Sequence, residues 1–257
     1  MSGAALWRGL VVAAGLILLW HTFVWITDVP PFLLPSPGRV AAALWDRGDI
    51  ILGHAAVTLS QILVGLLLGA VAGVLAALLL AAFAPARRWL LPVLLVSQAI
   101  PVFAIAPLLT LWLGFGMASK VAMAAIIIFF PVASAFLDGL RRTDPGWLDL
   151  ARSMGASRAA ILFRLRVPAA LPALASGLRV ATAVAPIGAV VGEWVGASAG
   201  LGFLMLHANA RSQADVMFAA LAVLAAIALA LWFTVDAALR GAIPWSRETF
   251  PDEETTR

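Results

Sequence analysis

The chain has no cysteine among its 257 residues, which excludes disulfides, thiolate metal sites and cysteine nucleophiles. Charge is scarce too. Asp, Glu, Lys and Arg together make up 12%, too little to clothe a soluble domain of this length. The histidines, His21, His54 and His207, share no metal-ligand spacing. No segment alternates polar and apolar residues as barrel strands do, and no basic stripe interleaves with aromatics to hold nucleic acid. A nucleotide-binding loop needs Gly-x4-Gly-Lys-Ser/Thr. The nearest stretch, Gly114 to Val121, has no glycine before Lys120 and no hydroxyl after it. No hydroxyl, imidazole and carboxylate share a plausible depth, so intramembrane hydrolysis is unsupported. The chain cannot hydrolyse ATP itself, and energy must come from another subunit or a gradient.

What it has instead is apolar length. The sequence is 63% hydrophobic with a mean hydropathy of +1.02, and runs of about 20 apolar residues, enough to cross the hydrocarbon layer, recur throughout. This predicts an all-α polytopic membrane protein forming one domain over 1–257, with six spans at about 6–26, 57–83, 89–115, 121–137, 171–194 and 216–239. The first run is longer than a signal-peptide core and has no small-residue cleavage site after it, so it reads as a retained span. Leu34-Pro35-Ser36-Pro37 reads as a proline-fixed extended entry. Arg39 to Ile51 then reads as a short amphipathic surface helix.

Lysine and arginine set the orientation. With the N-terminus inside, 13 of the 17 basic residues face the cytoplasm and only Arg39, Arg47, Lys120 and Arg211 face out. Both termini are therefore expected in the cytoplasm. The segment 138–170 becomes the largest cytoplasmic element. Asp144-Pro145 starts a helix there, an N-cap acceptor followed by a proline whose missing N–H costs nothing. Gly155 stops it, and Ser157 caps a second short helix that Pro168 and Pro172 should break before the fifth span.

Several residues invite a role in a passage. Glu193, with Trp194 beside it, reads equally as a gate residue or as an interfacial anchor, since a carboxylate at that depth must be paired or hydrated. Gln98, before Pro101, Phe103 and Pro107, reads as a polar side chain beside a broken helix, a passage wall or a packed kink. Gly196, Gly200 and Gly202 permit a tight outer turn or re-entrant segment that closes a path. Asp138 and Asp236, at inner span ends, are expected to be simply solvated. With no run of mid-span acids or histidines, a proton-coupled carrier is the weaker alternative. The Gly65-x3-Gly69-x3-Gly73 stripe permits close helix packing, within one subunit rather than at a dimer seam.

The bracket Asp149, Leu150, Ala151, Arg152, Gly155, Ala156, with Leu165, Val167 and Pro168 at fixed distance, resembles the EAA loop of bacterial ABC importer permeases, Glu-Ala-Ala-x3-Gly-x9-Ile-x-Leu-Pro. Asp stands for Glu, Leu for Ala, Leu for Ile and Val for Leu. The resemblance extends along the chain. Leu34 to Pro37, Gln98 to Gly116 and Ser119-Lys120 look like the sulfonate, taurine, nitrate and thiamine-precursor branch. Ala185 to Trp194, Gly200 to Gly202 and Met217-Phe218 look most like permeases for hydroxymethylpyrimidine. It implies the type I importer permease fold and a bacterial inner-membrane location. It also implies a coupling helix seated on a separate ATPase, present in two copies, which uses the ATP and Mg; this chain binds no cofactor. A periplasmic or lipid-anchored binding protein and a permease homodimer in lipid complete the expected assembly. The alternative cargo is a sulfonate, taurine or nitrate.

Overall fold

The computed structural model describes residues 3–96 and 100–245, and every regular element among them is helical. In chain order these are α1 (Gly3–Thr27), α2 (Pro37–Asp46), α3 (Gly48–Ala82), α4 (Ala84–Val96), α5 (Val102–Leu113), α6 (Met117–Arg141), α7 (Pro145–Ser153), α8 (Arg158–Ala160), α9 (Val167–Trp194), α10 (Leu201–Ala210) and α11 (Ala214–Ala242), with a π-helical stretch Ile161–Arg166 joining α8 to α9. Five helical stretches are long and apolar enough to cross a bilayer: Trp7–Thr27, Gly48–Ala82, Met117–Arg141, Arg158–Trp194 and Ala214–Ala242.

The expected third span is not a single helix. Pro92 lies inside α4, Pro101 caps α5 and Pro107 lies inside it. Each proline removes a backbone donor, so the crossing at 89–115 is divided into two short helices. Gln98 lies outside the described residues. The surface helix is also shorter than expected, ending at Asp46, after which α3 begins at Gly48 rather than near 57.

Pro168 and Pro172 do not break the chain either. The helix is continuous from Arg158 to Trp194. For Pro168 the reason lies in the π stretch just before it, where the wider turn passes the chain into α9 with this proline in its first turn; Pro172 lies inside α9, which runs on through it.

The core is organised around α6, which lies between α3 and α9. On one side the glycine stripe of α3 meets it: a Cβ at Gly69 would stand 2.7 Å from the Ala125 carbonyl oxygen, and one at Gly73 2.8 Å from that of Phe129. On the other side Gly177 and Gly188 of α9 approach the backbone of α6 just as closely, at Pro131 and Ala124. Lipid tails are as apolar as leucine, so burying leucine gives helices no reason to associate; close backbone approach and dispersion do. Ile62, Ala124, Ile128, Val132, Ala181, Ala185 and Ala189 fill the centre. The glycine stripe is thus spent inside the subunit, as its spacing suggested.

Candidate functional site

Functional groups gather at the two ends of the bundle. At one end stands the bracket around α7. The Asp144 carboxylate accepts the Gly146 N–H at 2.6 Å and starts the helix. At the other terminus Gly155 adopts φ +76°. Its N–H donates to the Arg152 carbonyl at 2.9 Å, and the Ala156 N–H donates to that of Ala151 at 3.0 Å. Those two bonds are the paired closure of a Schellman motif, and they satisfy carbonyls that a helix end leaves open. Ser157 then caps the next helix, accepting the Ala160 N–H at 3.2 Å.

Between its caps α7 has two unlike faces. Leu148 is buried against the bundle, whereas Trp147, Leu150 and Met154 are 57%, 60% and 78% exposed. Spaced i, i+3 and i+7, they form one apolar stripe that nothing among the described residues covers. Asp149 and Arg152 pair at 2.7 Å in the open beside it. Ala151 and Ala156 are half-buried, as is Leu165 in the π stretch, while Pro168 is exposed in the first turn of α9.

The opposite end holds a buried polar knot. Glu193, on the last turn of α9, is 1% exposed. Its Oε1 accepts the Thr58 hydroxyl at 2.7 Å and its Oε2 accepts the Gly202 N–H at 2.6 Å. Thr58 Oγ1 in turn accepts the Leu201 N–H at 2.7 Å, and the Gly200 N–H donates to His54 Nδ1 at 3.0 Å. The open amides at the start of α10 are thus satisfied by side chains from α3 and α9. A carboxylate is a favourable partner there, because the helix N-terminus carries partial positive charge. Gly200 is required: φ is +118°, and an added Cβ would overlap the Glu193 carboxylate.

Lys120 forms the counterpart on α6. It too is 1% exposed, and its Nζ donates to the carbonyls of Phe115 at 2.9 Å and Gly196 at 3.1 Å, with Ser119 Oγ at 3.2 Å. A buried ammonium ringed by carbonyls thus stands near a buried carboxylate ringed by donors, and each lies in the other's field. Thr110 of α5 adds a hydroxyl to the Val195 carbonyl at 3.2 Å.

Glu193 and Trp194 therefore have different surroundings. Trp194 is half exposed, whereas the carboxylate beside it is sealed and cannot serve as a surface anchor. Pro101 and Phe103 are exposed on the outer side of α5 and are not brought to the knot. Asp236 is not merely solvated: it is 8% exposed and holds Arg179 of α9 at 2.7 Å and Arg240 at 2.9 Å. Arg179 lies well inside α9. Sequence reasoning expected no hydroxyl, imidazole and carboxylate at one depth, yet Thr58, His54 and Glu193 meet at this knot, and it placed Lys120 facing out, whereas the structure buries it. For Lys120 a signal existed, since a lone lysine next to an apolar run of α6 must find buried partners or water.

The family described as binding-protein-dependent transport system inner membrane component matches residues 65–246. A probable ABC transporter permease protein of Haemophilus influenzae is 52% identical, over 89% of this chain and 94% of that protein. The riboflavin transport system permease protein RibX of Chloroflexus aurantiacus is 37% identical over 90% and 87%. The formylaminopyrimidine transport permease protein ThiX of Halalkalibacterium halodurans is 35% identical over 85% and 88%. Among solved structures, an inward-facing form of the MetNI methionine ABC transporter superposes with a TM-score of 0.67 at 20% identity, covering 79% of this chain and 99% of that one.

Proposed function

We propose that this chain, which belongs to the family of binding-protein-dependent transport system inner membrane components, transmits the closure of a separate ATPase from α7 to the far end of the bundle. It is the permease subunit of an ABC importer and not itself an enzyme. The observation that carries the proposal is the uncovered stripe of Trp147, Leu150 and Met154 on a helix capped at both ends. An apolar helix face of this kind is suited to a groove in a partner.

The route of force follows from the continuity of the fifth crossing. A rigid α7 pulls on Gly155, and the 37-residue helix Arg158–Trp194, about 55 Å at 1.5 Å per residue, carries the displacement onward. Glu193 terminates that helix and holds the start of α10. On the other side of α7, α6 leads back to Lys120, which holds the turns at Phe115 and Gly196. Both helices flanking the bracket thus end in a buried charge that anchors a turn at the far end. Rotation of α6 and α9 would move α10, the element that closes the path, as one of two packed arrangements gives way to another.

In this reading α7 faces the cytoplasm, two copies of the chain enclose the pathway, and a binding protein delivers solute on the side of α10. The cargo we assign is a nitrogen heterocycle of the aminopyrimidine class, supported by the likeness to the formylaminopyrimidine permease. The likeness to a riboflavin permease favours the second reading, a larger heterocycle of the flavin type.

The test is co-purification with an ATP-binding-cassette subunit. Asp149→Arg or Leu150→Asp should reduce capture by about tenfold or more while leaving the melting temperature of the permease unchanged, because both side chains are exposed. Failure of the wild-type chain to retain any such ATPase would overturn the reading. Nucleotide hydrolysis stimulated by the binding protein loaded with aminopyrimidine, riboflavin, taurine or nitrate then assigns the cargo.

A further inference from the structure

We propose that the cavity between the α7 end of α3 and the π stretch is a binding site for one anionic phospholipid of the adjoining leaflet. The cavity measures 810 Å³. Its apolar wall includes Leu75, Leu79 and Phe163, which are 60%, 43% and 59% exposed, and Arg152, Arg158 and Arg166 supply its polar lining. Among the described residues no acidic side chain lines it. Asp149 is paired with Arg152 of that lining at 2.7 Å. Arg166 is half-buried, and its Nε makes no hydrogen bond among the described residues, an unmet donor at the cavity.

Depth separates a lipid from a protein partner. Leu75 lies seven residues before the end of α3 at Ala82, roughly 10 Å along the helix. The apolar wall therefore extends into the hydrocarbon while the arginines stand at its edge. A partner resting on the membrane surface could cover Arg152 and Arg158 but would leave Leu75 and Leu79 bare. A phospholipid supplies both halves at once, with a phosphate for the guanidinium groups and acyl chain for the leucines. Arg158 and Arg166 lie on the helix that α7 would pull, so a bound headgroup would tie that helix to α3.

The inference rests on the proposed role of α7 only for its mechanical consequence. Lipid binding itself is measured without an ATPase, so the two readings fail separately. Native mass spectrometry of the full-length chain, delipidated and titrated with phosphatidylglycerol or phosphatidylcholine of matched acyl chains, should show one phosphatidylglycerol retained per chain in preference. Two lost charges at a membrane surface are together worth about thirty-fold in affinity, so R158Q/R166Q should weaken phosphatidylglycerol binding by that order. The paired R158K/R166K variant should keep most of it, and Arg39→Gln, remote from the cavity, should leave it unchanged.

Equal retention of the two lipids, or no response to R158Q/R166Q in protein that still melts cooperatively, would overturn the proposal. So would competition by inorganic phosphate at millimolar concentration, which would mark a free-anion site. Displacement of the lipid when the ATPase subunit is added would assign the arginines to a protein interface and overturn it as well.

Discussion

Thr58 donates its hydroxyl proton to Glu193 at 2.7 Å and, with the same oxygen, accepts the amide proton of Leu201 at 2.7 Å. One hydroxyl thus joins α3 to the end of α9 and the start of α10, which lie 135 and 143 positions further along the chain. Thr58→Val keeps the shape and deletes both bonds, leaving the Leu201 amide and a Glu193 oxygen short of a partner in a site closed to water. The expected loss is about 2 kcal/mol or more. It should appear as a lower melting temperature in detergent, together with faster proteolysis of the turn at 195–200.

Gly200 and Gly155 both have positive φ, +118° and +76°, but their surroundings differ. At Gly155 an added Cβ meets nothing within 4 Å, so Gly155→Ala should cost only the backbone strain, about 1 kcal/mol. Gly200→Ala would place its methyl in the Glu193 carboxylate and should release α10 from the knot. Its melting point should fall much further than that of Gly155→Ala. Equal effects would show that the Glu193 contact contributes little.

Lys120 and Glu193 are each fully buried, each solvated by backbone, and each within the other's field. Lys120→Met strands the carbonyls of Phe115 and Gly196, and Glu193→Gln leaves one acceptor oxygen where the Thr58 hydroxyl and the Gly202 N–H each donate to one. Neighbouring charges in one network do not add. The double variant should therefore be less destabilised than the sum of the singles by about 0.5 kcal/mol or more. Strict additivity in thermal or denaturant melts would exclude the coupling.

Packing of α3 on α6 gives the fourth expectation. Gly69→Val would set a branched side chain into backbone at 2.7 Å, where neither helix can yield without losing its neighbours, and folded yield should collapse. Gly53→Ala, with nothing within 4 Å, should be neutral or stabilising by up to about 1 kcal/mol. Expression and size-exclusion profiles of the pair separate these outcomes.

Much of this arrangement was legible beforehand because lipid imposes strong local rules. Apolar run length marked five helices long enough to cross, though not the divided stretch at 89–115, and Asp144, Gly155 and Ser157 marked the bracket, since caps depend on residues a few positions apart. The glycine stripe was also readable, its spacing needing no partner to be recognised. The failures occurred where backbone could relax. Pro168 and Pro172 looked like breaks, but a π turn, which has no composition signal, leads Pro168 into the first turn of α9, and α9 continues through Pro172. Asp236 looked solvated because its partner Arg179 stands 57 positions away along the chain.

By itself the sequence determined what each segment does alone: which stretches are long and apolar enough to cross lipid, and where α7 starts and stops. Those are properties of a residue and its near neighbours in a known solvent. Only tertiary structure decided that Glu193 caps α10, that Lys120 anchors two turns, and that Arg158 and Arg166 share a cavity with Leu75. A buried charge is stable only through partners that satisfy it, and here those partners come from other helices. The glycine-lined contacts on α6 bring them within reach.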